Sequence, residues 1–596
     1  MDTNWSCWLL IESPIVRPLL ASALFVVALL PHTPLTHAAT EPPAPIATIA
    51  AEGDDSSMDS RPAAPGLGAR ITAEGPKRPD NLPPDVILQN SGSVIGAISV
   101  TPLDIFDTSL PEENTWLFRW ANTLHINTRT KTIERQLLFE SGQTYDPRLL
   151  RETERLLRKT RYLREAWITP IAATDGKVDL EVTTRDVWTL NPGISFSRKG
   201  GENSSGFEIE DLNVLGTGAQ LGLSRRDGVD RSTDQLVYRD RQLGNTWWSI
   251  DTEFANNSDG KRRFVDLDHG FYALDTRRAG GLSFADDTRI DSRYDLGQVV
   301  GQYATRAKFA TAYGGWSKGL IEGEVLRYRL GITQDERQFD SVGDKRPASR
   351  VPADRKLVYP WVSMEWLQDQ FRETRNRDQI ERTEDFQYGW QVSARIGYAA
   401  ESLGSSENAL LFDTAASRGI ELDGKSTLLL SAHASGRHDG SDFVDTVIAG
   451  SARYYHRQSQ RRLWFASLSL EQGHKLDPDR QILLGGDNGL RGYPLRYQAG
   501  EGRWLLTLEQ RFFTDWYPFR LVNVGGAIFA DAGGALGNNP YGSQPRGVLT
   551  DVGIGLRLGN SRTALGNVLH VDLAFPLNGD RSISNMQLVI ETKSSF

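Results

Sequence analysis

Val568 to Phe575 reads VLHVDLAF, and its parity decides the fold. Leu569, Val571, Leu573 and Phe575 fall on one side of an extended chain, His570 and Asp572 on the other. Successive strand side chains point to opposite faces, so this segment has one apolar and one polar face. The pattern repeats upstream. In Leu549 to Leu558, Val552, Ile554, Leu556 and Leu558 oppose Asp551 and Arg557. In Leu521 to Gly533, Val522, Val524 and Ile528 oppose Asn523 and Asp531, and in Arg503 to Phe512, Leu506 and Leu508 oppose Glu509 and Arg511.

From Val187 to Phe596 such alternating segments of about ten residues follow one another, separated by Gly, Asn, Asp and Ser turns, as in a transmembrane β-barrel. A water-soluble sandwich also alternates, so further features have to choose between the two. Leu19 to Leu30 (LLASALFVVALL) follows Arg17 and precedes Thr36-His37-Ala38-Ala39. It is too short for a helical anchor and has the layout of a secretory signal peptide spanning 1–38. Aromatic residues near segment ends, among them Trp248, Tyr359, Trp361, Trp464 and Trp516, suit membrane-interface girdles. The chain closes on MQLVIETKSSF, an alternating strand ending on Phe596, which resembles the C-terminal assembly signal of outer-membrane barrels.

The single cysteine, Cys7, lies in the leader, which excludes disulfides and thiolate chemistry from the rest. The net charge of -9 is spread along the chain with acids and bases interleaved, so no basic footprint for nucleic acid is present. Residues 39–93 are rich in Pro, Ala and Gly and read as a flexible linker. Between 94 and 186 lies a small mixed domain. Val94 to Val100 is a strand, Thr132 to Phe139 and Asp146 to Lys159 are helical, and Ala166 to Ala172 and Lys177 to Thr183 form a hairpin through Asp175-Gly176. Asp146 and Pro147 supply a helix cap and a first-turn proline.

That order, with LLFESGQTYDPRLLRETERLLRKTRYLREAWITP ahead of DGKVDLEV, resembles a POTRA domain, the periplasmic module that precedes barrels of the BamA and TamA type. Leu490-Arg491-Gly492-Tyr493-Pro494, with about five strands still to come, resembles the loop of that superfamily that folds into the barrel lumen. The resemblance implies one POTRA domain followed by a barrel of sixteen antiparallel strands. It implies that Arg491 reaches Glu509 and Asp531, residues that parity independently puts on the polar face. Gly492 is then expected to permit a tight turn and Tyr493 to pack on the wall.

The function implied is insertion or translocation of polypeptides across the bacterial outer membrane. The POTRA hairpin would dock periplasmic or outer-membrane clients by strand addition. Partners on this reading are such clients, the barrel assembly machinery and the lipid bilayer. A dedicated two-partner-type secretion transporter and a passive channel or surface receptor are the alternatives. A search for enzyme chemistry finds only HASGRHD, with His433, Ser435, His438 and Asp439 at a strand end, and no HExxH, Walker or dinucleotide pattern. No catalytic residue, cofactor or metal is assigned.

Overall fold

The computed structural model describes residues 75–342, 350–563 and 568–593. The expected signal peptide, most of the expected linker and Phe596 lie outside the described residues. The small domain contains α1 (Asp85–Asn90), β1 (Val94–Leu103), α2 (Trp116–Leu124), α3 (Thr130–Glu134), α4 (Pro147–Arg158), β2 (Leu163–Thr174) and β3 (Lys177–Asp186). Its structured part begins inside the predicted linker, because Leu88 of α1 is buried in the same core as Ile95, Ile133 and Val178.

The α4 helix starts as its sequence dictates. The Asp146 carboxylate accepts a hydrogen bond from Arg148 N at 2.9 Å, and Pro147 occupies the first turn. Leu150 and Leu157 enter the core. The predicted helix 132–139 is shorter, ending at Glu134. Gln136 then donates to Thr132 O and Tyr162 OH, and Phe139 turns into the core. The sheet order is β1-β3-β2, parallel between β1 and β3 and antiparallel between β2 and β3. Lys177 to Thr183 therefore lies in the middle strand with both edges taken, so any strand addition has to use β1 or β2.

The rest is a closed antiparallel barrel running from Leu190–Lys199 to Gln587–Lys593. It has 20 strands, which corrects the expected sixteen. Fifteen precede the loop carrying Arg491 and five follow it, so the strands beyond the expected sixteen lie before the loop. Exposure settles which face is inside. In Leu549–Gly559, Ile554 is 56% exposed whereas Asp551 is 1% exposed. A soluble sandwich would reverse this; an outward apolar face with a buried polar one is the arrangement of a transmembrane barrel. The aromatic girdle needs one correction. Trp248, Trp464 and Trp516 are exposed, but Tyr359 and Trp361 are buried in the lumen, where the Arg395 guanidinium lies 4.5 Å over the Trp361 ring.

Strand alternation fixes the two mouths. The small domain leads directly into the first strand, so every second connection returns to the domain side. The Pro518–Arg520 turn and the 369–390 connection are on that side, and the 475–501 loop enters from the opposite one.

Candidate functional site

A barrel of this size is wider than its own side chains fill, since barrels of about 16 to 18 strands already leave an aqueous channel. Two segments occupy this lumen. The first is the 475–501 loop, braced by pairing of Ile482–Leu484 with Gln498–Gly500. At its tip, Arg491 is buried on the wall. Its guanidinium donates to both Asp531 oxygens at 2.7 and 3.0 Å and to Glu509 at 2.9 Å, and it lies 3.4 Å over the Phe529 ring. The fork geometry suits a carboxylate, and the charge persists at any working pH.

The structure adds acids that the sequence reading did not pair with the loop. Asp572 lies 3.4 Å from Arg491, and Asp551 accepts from Gly492 N at 3.1 Å. Asp531 and Asp551 are direct cross-strand partners. Like charges opposite one another destabilise a sheet, so this wall needs the cation and the peptide N–H that the loop inserts. Arg511 also pairs with Glu509 at 3.0 Å, and Arg557 pairs with Asp572. Parity had put Asp551, Asp572, Arg511 and Arg557 on the polar face; what it lacked was the stagger between neighbouring strands.

Gly492 has a different role from the one expected. Its φ is not positive; a Cβ there would come 2.7 Å from Asp551 Cβ, so glycine is required for close approach rather than for a turn. Tyr493 is fully buried with Leu490, Leu549 and Ile583, and its hydroxyl donates to Thr550 O at 2.8 Å.

The root of the loop carries the opposite charge. Asp477 receives a two-pronged Arg437 at 2.7 and 2.8 Å and lies 2.5 Å from Arg355. Asp479 pairs with Arg337 at 2.9 Å. The second lumenal segment is a hairpin, Phe371–Arg375 paired with Thr383–Gln387, entering from the domain side. At its tip Asp378 accepts from Tyr455 OH at 3.0 Å and pairs with Arg511 at 3.3 Å, while Ile380 packs on Phe513 and Val568. The ion pairs thus run unbroken from Arg491 through Glu509 and Arg511 to Asp378, joining a segment from each mouth. On the domain side, Arg158 of α4 holds the hairpin through Asp385 at 2.7 Å and Glu373 at 2.5 Å.

The barrel closes between its first and last strands, and that seam differs from every other pairing. Among the described residues Ile590 and Arg198 are the one registered pair across it, whereas the first hairpin registers ten pairs and the last seven. A Lys199–Glu591 ion pair at 2.6 Å supplements it.

The histidines considered for catalysis are not gathered into one hydrogen-bonded set. His433 faces Asp413 at 3.3 Å, His438 sits edge-on to Phe443, and Asp439 accepts from its own turn.

Neither a family model nor a curated protein matches this sequence. Among solved structures the chain is similar to BamA from Haemophilus ducreyi lacking POTRA domains 1-3, at 14% identity over 84% of this chain and 85% of that one, with a TM-score of 0.36. It is also similar to CdiB from Acinetobacter baumannii, at 12% identity over 85% of this chain and 74% of that one, with a TM-score of 0.43. CdiB from Escherichia coli is similar at 11% identity over 84% and 77% of the two chains, with a TM-score of 0.42.

Proposed function

We propose that this protein inserts or translocates polypeptides at the bacterial outer membrane as a relative of the BamA and TamA barrels, with its small domain in the periplasm acting as a POTRA-type docking module. The observation that carries this reading is the seam. Sheet edges left unpaired are templates for an extended chain, because main-chain N–H and C=O groups there lack partners. Among the described residues the first and last strands meet through one registered pair and one ion pair, so the wall has a sparsely paired seam between two strand edges. The lumen is occupied from both mouths, which disfavours a passive channel. On this reading the Arg491 tip braces the five C-terminal strands while the seam opens, and the small domain delivers clients from the outer edge of β2 or from β1 beyond Ile95, since residues 142–145 bond to the start of β1.

A reversible crosslink across the seam tests the reading. Arg198→Cys with Ile590→Cys places two thiols at the registered pair. Oxidation is expected to deplete clients from the outer-membrane or secreted proteome, and reduction to restore them. Unchanged proteomes with the bond formed would rule out seam opening as the working step.

A further inference from the structure

The α2 helix was not anticipated from the sequence, and its surface is divided unusually. At about 100° per residue, Phe118 and Ala121 point one way and Arg119 and Thr123 nearly the other. Between them lies a sector formed by Trp116, Leu117, Trp120 and Leu124. Phe118 is buried, stacked 4.1 Å from Phe106, but Trp116 is 73% and Trp120 57% exposed. Apolar residues are thus bare on a helix whose polar sector is also present, so the exposure is not that of a helix simply facing water.

The helix is held rigidly at the barrel rim. Thr115 caps it, the Asn122 side chain bonds both backbone groups of Phe106, and Arg562 donates to Ile105 O at 2.7 Å and pairs with Glu113. The cluster beneath α2 includes Trp188 and Leu521. Both are rim residues on the domain side. Trp188 leads into the first strand, where Leu190 and Ile194 are exposed, and Leu521 closes the turn that exposes Trp516 and Phe519. The bare sector of α2 is therefore continuous, through one packed cluster, with the lipid-facing surface of the barrel.

We infer that α2 is an interfacial anchor, lying in the domain-side lipid leaflet with Trp116, Leu117, Trp120 and Leu124 at the headgroup–acyl boundary. Tryptophan, with an apolar ring and one N–H, suits that depth, and a flanking arginine can reach the headgroups. A helix of this kind binds through its buried apolar area. It would fix the small domain against the bilayer beside the strand that forms one side of the seam. The occupant is a phospholipid surface, argued from continuity with the barrel wall.

The test uses the full chain in phospholipid vesicles with Cys7→Ser, so that one introduced thiol carries a polarity-sensitive fluorophore. Trp120→Cys reports on the bare sector, Leu117→Cys is a second site on it, and Thr123→Cys reports on the polar sector. Heat-dependent gel migration checks that each barrel is folded. Labels at 120 and 117 are expected to be quenched several-fold more than the label at 123 by a nitroxide on the lipid chain, and several-fold less by aqueous iodide. Equal iodide access at all three sites would overturn the anchor. So would shielding of 120 and 117 from both quenchers, the result expected if a protein partner or a second copy covers the face.

Discussion

The two ends of the lumenal loop are fastened by opposite chemistry. At the tip a single cation, Arg491, enters a wall of acids formed by Glu509, Asp531, Asp551 and Asp572. At the root two acids, Asp477 and Asp479, enter a wall of arginines formed by Arg337, Arg355 and Arg437. The wall sectors are also different: the tip meets strands after the loop, the root meets strands well before it. A loop with this polarity has one register in the lumen, because sliding or inverting it would put like charges together. The difference also ranks the anchors. At the tip the loop cation is buried against Asp531, Glu509 and Asp572, with Arg511 and Arg557 as wall cations for the last two, whereas the root acids are shared among three wall arginines.

Asp531→Arg is the severest challenge to that ranking. It places a second cation against a buried Arg491 and removes the main bidentate partner. Disrupting a buried pair in this way costs about 3 to 5 kcal/mol. The folded, heat-modifiable form is expected to be strongly depleted, and any folded fraction to lose protease resistance between 475 and 501. Full folding with an unchanged digestion pattern would remove the tip from its place as the dominant anchor.

The double variant Asp477→Asn, Asp479→Asn breaks the other end. Neutral amides keep the shape and part of the hydrogen bonding, so the cost is about 1 to 3 kcal/mol. Faster proteolysis at the root with normal barrel folding is expected, because Arg491 still holds the tip. A loss as large as that of Asp531→Arg would mean that the two anchors carry equal weight.

The tip was legible in the sequence and the root was not, for physical reasons. Parity puts Glu509 and Asp531 on the polar face of their strands, and the Arg-Gly-Tyr motif marks which loop residue meets them. Asp477 and Asp479 flank Pro478 in a stretch without periodicity, and their arginine partners lie far away in sequence. Strand stagger, which decides such pairs, leaves no mark on alternation. The same limit explains the strand number. Alternation marks the region as barrel wall without separating one strand from the next, so the number sixteen came from resemblance, and 20 is what the pairing shows. The 371–387 hairpin was missed because its short strands, rich in Arg, Glu and Asp, carry no apolar face of their own. Its burial comes from Ile380 and Asp378 meeting the wall and from Arg158 at its base.

That base supplies the mildest contrast, an ion-pair site at the opposite mouth that titrates near neutral pH. Glu154 of α4 accepts from Ile168 N at 2.6 Å, 4.0 Å from Arg158. Burial pushes its carboxyl up to about 7 against the pull of Arg158, with the charges of Glu373 and Asp385 adding to the rise. A carboxyl raised on folding contributes stability that is fully present below its unfolded value and is lost as pH rises through the folded one. The contact between α4 and the hairpin is therefore expected to be tightest near pH 4.5 and to loosen as pH approaches 7. Hydrogen exchange of residues 371–387 measures this, faster at pH 8 than at pH 5 after correction for intrinsic rates. Glu154→Gln keeps an acceptor for Ile168 N and has no proton to lose, so it should flatten the profile at the slow-exchange level. A Gln variant with the wild-type pH dependence would assign the titration to another group at this mouth, and the contrast between the two ends of the lumenal loop would then stand without a third, titrating site beside it.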